Sequence, residues 1–502
     1  MNQITIDFNR HGESYTPVWN KLITAGRASE GLYADWRDQL KKLQRDIPFE
    51  YIRFHGIFCD DMMVYREENG SAVYNWQYVD SLFDFLLSIQ LRPILELGFT
   101  PYDLRSGEQT IFWWKGNVTP PGDYGKWAAL VEALVLHCAN RYGMDEVLRW
   151  YFEVWNEANI TPFWSGTQED YFRLYETTVT AIKGIHPALR VGGPATSSSD
   201  NEECPWIREF LAFCEERELP VDFISTHPYP NSYPLYAMGL PCYKDENGTQ
   251  NSLVWLKEAI AGTPYRNAEV HLTEWNSSPN CRDLVHDTAF MAPFVIQNNV
   301  RALGMVDSIG FWDFTDIFEE EGLGSTIFHG GFGMKNVQGL KKPSYHGYWF
   351  LSKLGDELIE TGENYVLTRR GDRVQLLSWN YCHYNDEYAN GNQSKISEYD
   401  RYRVFREKEN LQVYLTFQHA DGVFRAVQYV FDQDNGSVYD AWLKNGCPKN
   451  PDAEELAILK ASESPTGSIH YLKNADCTPM EICIKPHGVT FIEFTPVLEK
   501  GE

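Results

Sequence analysis

Over its first two-thirds the chain switches repeatedly between two hydrophobic periods. Short apolar and β-branched runs are each followed by a longer segment with apolar residues at helical spacing. Strands are predicted over 20–25, 51–55, 91–98, 149–157, 189–193, 221–226, 269–273 and 308–314. Helices are predicted over 32–46, 78–90, 124–142, 169–185, 206–218, 253–260, 287–303 and 345–354. The helix over 78–90 carries Val79, Leu82, Phe83, Leu86 and Leu87 on one face. Gly143 stops the third helix, and Asp287 reads as a cap for the seventh. Strand–helix units repeated eight times in about 330 residues predict a (β/α)8 TIM barrel, placed over 14–355.

After residue 355 the pattern changes. Short alternating runs over 366–369, 373–380, 411–418, 423–431, 481–484 and 489–494 are separated by turn sequences such as Gly371-Asp372 and Asn435-Gly436. They predict an all-β sandwich over 356–502, which the strand-like run 3–8 within an N-terminal stretch 1–13 is expected to join.

Ligands of a TIM barrel bind where its strands end. Strand four is aromatic and β-branched until it stops in Trp155-Asn156-Glu157. Strand two ends in Arg53 and His55, the loop after strand three holds Phe112, Trp113 and Trp114, and strand six runs into His227 and Tyr229. Strand seven brings Glu274 and Asn276, and strand eight brings Trp312, with Asp316, Glu319 and Glu320 in its loop. Two strand-end carboxylates therefore face each other across a barrel among donors and aromatic rings. Glycoside hydrolysis needs such a set, one carboxyl group to protonate the departing oxygen and one to attack or stabilise the anomeric carbon. Two close carboxylates repel, so one should keep its proton near neutral pH.

Composition narrows the partners. A net charge of −26 over 502 residues argues against nucleic acid, and an aromatic share of 15% suits a neutral, sugar-like ligand. No apolar run approaches the roughly 18 residues of a membrane span, so no membrane partner is expected. The N-terminus lacks a basic start followed by an apolar run, which predicts a cytoplasmic protein. The 10 cysteines form no CxxC pair or zinc-ligand spacing and read as free thiols, mostly core.

Several segments narrow the match further. They are Tyr51-Ile52-Arg53 with His55-Gly56 and Asp60-Asp61, then Gly116-Asn117-Val118-Thr119-Pro120-Pro121, His271-Leu272-Thr273-Glu274-Trp275-Asn276 and Phe328-His329-Gly330-Gly331-Phe332-Gly333. With Trp155-Asn156-Glu157 they resemble glycoside hydrolase family 39, on its β-xylosidase side, within the retaining "4/7" superfamily. The resemblance spans the barrel and, more weakly, the sandwich. It implies Glu157 as general acid/base and Glu274 as nucleophile, with Asn156 on the sugar 2-hydroxyl. It further implies His55, Glu319 and Glu320 on the other hydroxyls, Trp312 beneath the sugar, and either His227 or Tyr229 against Glu274. Arg53 and Trp113 join the substrate-binding candidates. No cofactor or metal is required, and family resemblance suggests a homo-oligomer, a tetramer.

The chain departs from the family pattern at Ala158, where proline usually follows the acid, at Phe54, and in His227-Pro228-Tyr229-Pro230. These positions bear on which sugar is bound. A β-galactosidase, an arabinosidase or an α-L-iduronidase are the alternatives within the hydrolase class. Outside it stand a catalytically silent sugar-binding protein and a metal-dependent barrel enzyme ligating through His55, Asp60, His227 and Glu274. Acidic runs such as that holding Glu319 and Glu320 are, on composition alone, usually solvated surface.

Overall fold

The computed structural model describes residues 2–197, 204–231, 243–317, 320–322, 324–473 and 479–497. Glu319 lies outside them. The chain divides into two compact units, one of residues 18–281 and 304–323, the other of residues 1–17, 282–303 and 324–502. Helices Met291–Arg301 and Pro343–Leu351, seventh and eighth in the barrel pattern, belong to the second unit by compactness.

The first unit holds a closed, all-parallel barrel. Its strands, one to eight in chain order, are Leu22–Arg27, Tyr51–His55, Arg92–Leu97, Tyr151–Val154, Arg190–Thr196, Phe223–Thr226, Glu269–Trp275 and Ser308–Phe311. The (β/α)8 expectation is met, with barrel helices including Ala34–Asp46, Gln77–Ser88, Tyr124–Tyr142, Gln168–Ile185, Trp206–Glu216 and Gly248–Ala261. The helix before strand seven is longer than the apolar run 253–260 suggests, because its first turn is polar.

The barrel interior is layered by the strand period of two. Leu22, Tyr51, Ile94, Tyr151 and Phe223 pack together as a plug near the amino ends, with the His271 ring 4.9 Å from Tyr151. Two residues further along strands two, three, four and seven, the same inward face presents Arg53, Glu96, Glu153 and Thr273, all fully buried. A charged layer therefore sits between an apolar plug and the carboxyl-end mouth.

In the second unit, a three-stranded sheet and a seven-stranded sheet enclose one core, to which Ile4, Ile6, Val413, Leu415 and Ile482 contribute from the first sheet and Leu376, Phe424, Ile492 and Phe494 from the second. The N-terminal strand Asn2–Asp7 runs parallel to Leu411–Gln418. Sequence reading passed over Glu357–Gly362 and Thr466–Lys473, whose solvent-facing sides carry no alternation, and the short helices Val438–Lys444 and Ala453–Ala461. Asp287 does not cap the seventh helix, which starts at Met291 without a side-chain cap. It is buried between two cations instead, 2.7 Å from Lys342 Nζ and 2.7 Å from Arg401 Nη1, and they hold its carboxyl below the ordinary range against the cost of burial. Among the described residues no helix is long and apolar enough to cross a membrane, and none of the described cysteines is disulfide-bonded.

Candidate active site

Strand four ends earlier than its apolar run, at Val154, because the backbone turns over at once. Trp155 and Glu157 adopt φ values of 68° and 45°, as does Ala195 at 50° at the end of strand five. Left-handed backbone at three residues with side chains costs of order 1–3 kcal/mol each and persists only where the surroundings enforce it. Here the Glu157 N–H donates to Ala195 O at 2.8 Å, and Trp155 Nε1 donates to Phe163 O at 2.8 Å. The turn lifts Asn156 and Glu157 off the strand line, and both are buried, at 1% and 7% exposure.

Arg53 organises the floor. Its Nε donates to Glu153 at 2.8 Å, its Nη1 to Glu274 Oε1 at 2.5 Å and its Nη2 to Asn156 Oδ1 at 2.8 Å, with Glu96 Oε2 3.1 Å from Nη2. Burial alone would weaken its charge, but Glu153, Glu96 and Glu274 outweigh that and push its pKa up. Because the arginine only donates, it fixes the Asn156 amide with its oxygen inward. The Asn156 Nδ2 group is then buried without a partner, a donor held ready for a ligand oxygen. His55 Nδ1 hydrogen-bonds Glu96, and its Nε2 lies 3.5 Å from Glu274 Oε1.

The two candidate catalytic carboxyls lie close together. A Glu157 oxygen, a Glu274 oxygen and a His227 ring nitrogen all fall within 4.8 Å of one another. Burial and then the negative charge of Glu274 hold the Glu157 carboxyl well above its ordinary value. Burial also raises Glu274, opposed by Arg53 and His55. Glu274 accepts from Arg53 and, at 3.1 Å, from the Tyr229 hydroxyl, two contacts that favour its ionised form. The two strand-six residues divide between the carboxyls: Tyr229 bonds Glu274, whereas His227 Nδ1 lies 2.8 Å from Glu157 Oε1 and 3.7 Å from Glu274 Oε2.

Trp312 is 2% exposed, its ring 4.8 Å from that of His55. Glu320 is near enough to raise Glu157 and Tyr229 further. Trp113 is 54% exposed in the turn of the Thr110–Ile111 and Gly116–Asn117 hairpin, with the Arg27 guanidinium 5.8 Å from its ring. Trp114 is the tryptophan turned toward Phe99, at 5.8 Å, and Phe99 in turn lies 6.0 Å from His55.

The alternative metal set does not assemble. Asp60 is exposed and accepts the Tyr102 N–H at 3.1 Å. Glu157, His227 and Glu274 do come together, but a guanidinium and a phenol already occupy both Glu274 oxygens. A divalent ion there would meet the Arg53 charge.

Sequence reasoning missed Glu96, Glu153 and Thr273. The signal was a carboxylate inside each of two apolar strands, which a nearby buried arginine explains.

The Glycosyl hydrolases family 39 model matches residues 2–475. A β-xylosidase of Geobacillus stearothermophilus is 33% identical over 97% of this chain and 94% of its own. A β-xylosidase of Caldicellulosiruptor saccharolyticus is 34% identical over 98% of each. The crystal structure of a monomeric β-xylosidase from Caulobacter crescentus CB15 superposes with a TM-score of 0.90 at 29% identity, covering 99% of this chain and 100% of that one. With the family model spanning barrel and sheets together, the chain belongs to glycosyl hydrolase family 39.

Proposed function

We propose that the protein is a retaining, exo-acting β-xylosidase that releases xylose from the non-reducing ends of xylo-oligosaccharides. The observation that carries the retaining mechanism is the pair Glu157 and Glu274, buried, with an oxygen of each within 4.8 Å. Retaining enzymes place the two carboxyl groups about 5–5.5 Å apart, inverting ones roughly 6.5–9.5 Å. The xylosyl preference is supported by two β-xylosidases at 33% and 34% identity over almost the whole chain.

In this reading ionised Glu274 attacks the anomeric carbon while the Glu157 proton passes to the departing glycosidic oxygen. The C1–O bond breaks, and a glycosyl ester forms on Glu274. Glu157, now a carboxylate, takes a proton from water, whose oxygen attacks C1 and frees Glu274. Asn156 Nδ2 donates to the sugar 2-hydroxyl, Trp312 floors the ring, and His55, Glu319 and Glu320 hold the remaining hydroxyls. Activity is lost as pH rises through the raised pKa of Glu157, since only its protonated form serves the first step. The protein acts in the cytoplasm, without a metal or cofactor, as a homo-oligomer.

A panel of aryl pentosides and hexosides tests the assignment. Aryl β-xyloside should be the best substrate, and activity should survive EDTA. Glu157→Ala should lose about 10²–10⁴-fold with poor leaving groups, as expected for removing a general acid. Azide should then restore its turnover and give the β-glycosyl azide. Wild-type enzyme that turns over no xyloside would sink the substrate assignment.

A further inference from the structure

A chain of hydrogen bonds runs from one candidate catalytic carboxyl to the other through four intervening side chains. From Glu157 Oε1 it passes to His227 Nδ1 at 2.8 Å, and from His227 Nε2 to Thr273 Oγ1 at 3.0 Å. Thr273 Oγ1 then donates to Glu153 Oε1 at 2.7 Å, Arg53 Nε donates to the other Glu153 oxygen at 2.8 Å, and Arg53 Nη1 reaches Glu274 at 2.5 Å. His227, Thr273 and Glu153 are all fully buried.

Proton counting decides the directions. Thr273 has one hydroxyl hydrogen, and the Glu153 carboxylate takes it. The Thr273 oxygen can then only accept from His227, so the imidazole hydrogen sits on Nε2. Burial, with Arg53 and His55 nearby, holds His227 neutral. Its Nδ1 is therefore a bare lone pair 2.8 Å from Glu157, and a hydrogen bond there requires the hydrogen on Glu157.

We propose that Thr273, backed by Glu153, is a positioning residue that locks His227 in the Nε2–H tautomer and thereby keeps the proton on Glu157 between turnovers. The assignment rests on the acid/base role given to Glu157. Other charged groups facing Glu157 are Glu274 from strand seven, Arg53 from strand two, Glu96 from strand three and Glu320 from the loop after strand eight. Arg53 and His55 face His227. Of all these, only the imidazole offers Glu157 a switchable partner. With the opposite tautomer its Nδ1–H would donate to a Glu157 carboxylate and favour the ionised form.

Thr273→Val keeps the shape and removes both hydrogen bonds of the hydroxyl. The alkaline limb of kcat/KM is expected to move down by about one pH unit or more, the size of shift that one charge-assisted hydrogen bond gained by the ionised Glu157 produces. Xylobiose hydrolysis should fall about tenfold more than that of a dinitrophenyl xyloside, whose leaving group needs no acid. Thr273→Ser should restore both, and Thr273→Ala serves if valine does not fold. Histidine-¹⁵N spectra, assigned against His227→Gln, should show an unprotonated Nδ1 in the wild type. Equal losses on both substrates with an unmoved pH profile, or an Nδ1 that carries hydrogen, would overturn the assignment while leaving an active glycosidase. A wild type silent on every glycoside removes the reading beneath it as well.

Discussion

Glu274→Ala is expected to lower turnover of every glycoside by on the order of 10⁵, the scale seen when a covalent nucleophile is removed from a site whose other groups remain. That factor corresponds to about 7 kcal/mol of barrier. The loss should not depend on the leaving group, which separates it from Glu157→Ala. No neighbouring group can substitute. Glu157 is needed as the acid, Glu153 and Glu96 lie a layer below, and burial keeps Tyr229 a neutral phenol. The truncation also leaves Arg53 Nη1 and the Tyr229 hydroxyl without their acceptor. They form a pocket that prefers an anion, so added azide or formate should bind there. Rescue should yield the α-glycosyl azide, the anomer opposite to that from Glu157→Ala. The check is product configuration by NMR alongside pre-steady-state rates. A variant within tenfold of wild type would mean that another group attacks C1.

The barrel was legible because its strands and helices carry different hydrophobic periods, and strand ends could be assigned to one face from the order of elements alone. That reasoning brought Arg53, His55, Asn156, Glu157, His227, Tyr229, Glu274 and Trp312 to one place, where the structure gathers them. Two things were not legible. One is the backbone at Trp155 and Glu157, where apolar residues continue beyond the strand into left-handed turns. No glycine marks it, since the conformation is enforced by partners on strand five and at Phe163. The other is the charged layer beneath the site. Glu96 and Glu153 stand in runs that read as uniformly apolar, and their positions mean something only once the register sets them beside Arg53. Trp113 and Trp114 show the converse limit: the Arg27 guanidinium lies near both rings, at 5.8 and 4.8 Å, yet it is Trp114 that packs against Phe99, and composition does not single it out.

Arg53→Leu should be the most destabilising change in the barrel. The guanidinium is fully buried and is the cation shared by Glu153, Glu96 and Glu274. Deleting one partner of such a buried network costs about 3–5 kcal/mol, because the carboxylates left behind have neither water nor counter-charge. The sign of the pH dependence follows. With the arginine gone, burial raises the folded-state pKa of the remaining carboxyls above their unfolded values. A raised pKa stabilises the fold below the unfolded value, and that contribution is lost as pH rises through the folded one. The deficit against wild type, read from urea midpoints, should therefore be larger at pH 7 than at pH 5. A deficit that does not change with pH would mean that packing, not charge, is what Arg53 supplies. Arg53→Lys separates structure from catalysis further. An ammonium restores the charge, so much of the stability should return, but it cannot reproduce the planar fork that reaches Glu153, Glu274 and Asn156 at once. Without the Nη2 bond the Asn156 amide is free to turn, and without Nη1 Glu274 loses one of the two donors that favour its ionised form. The lysine variant should fold and still be a poor enzyme, with kcat reduced more than KM is raised, because both losses fall on groups that act as the bond to C1 breaks.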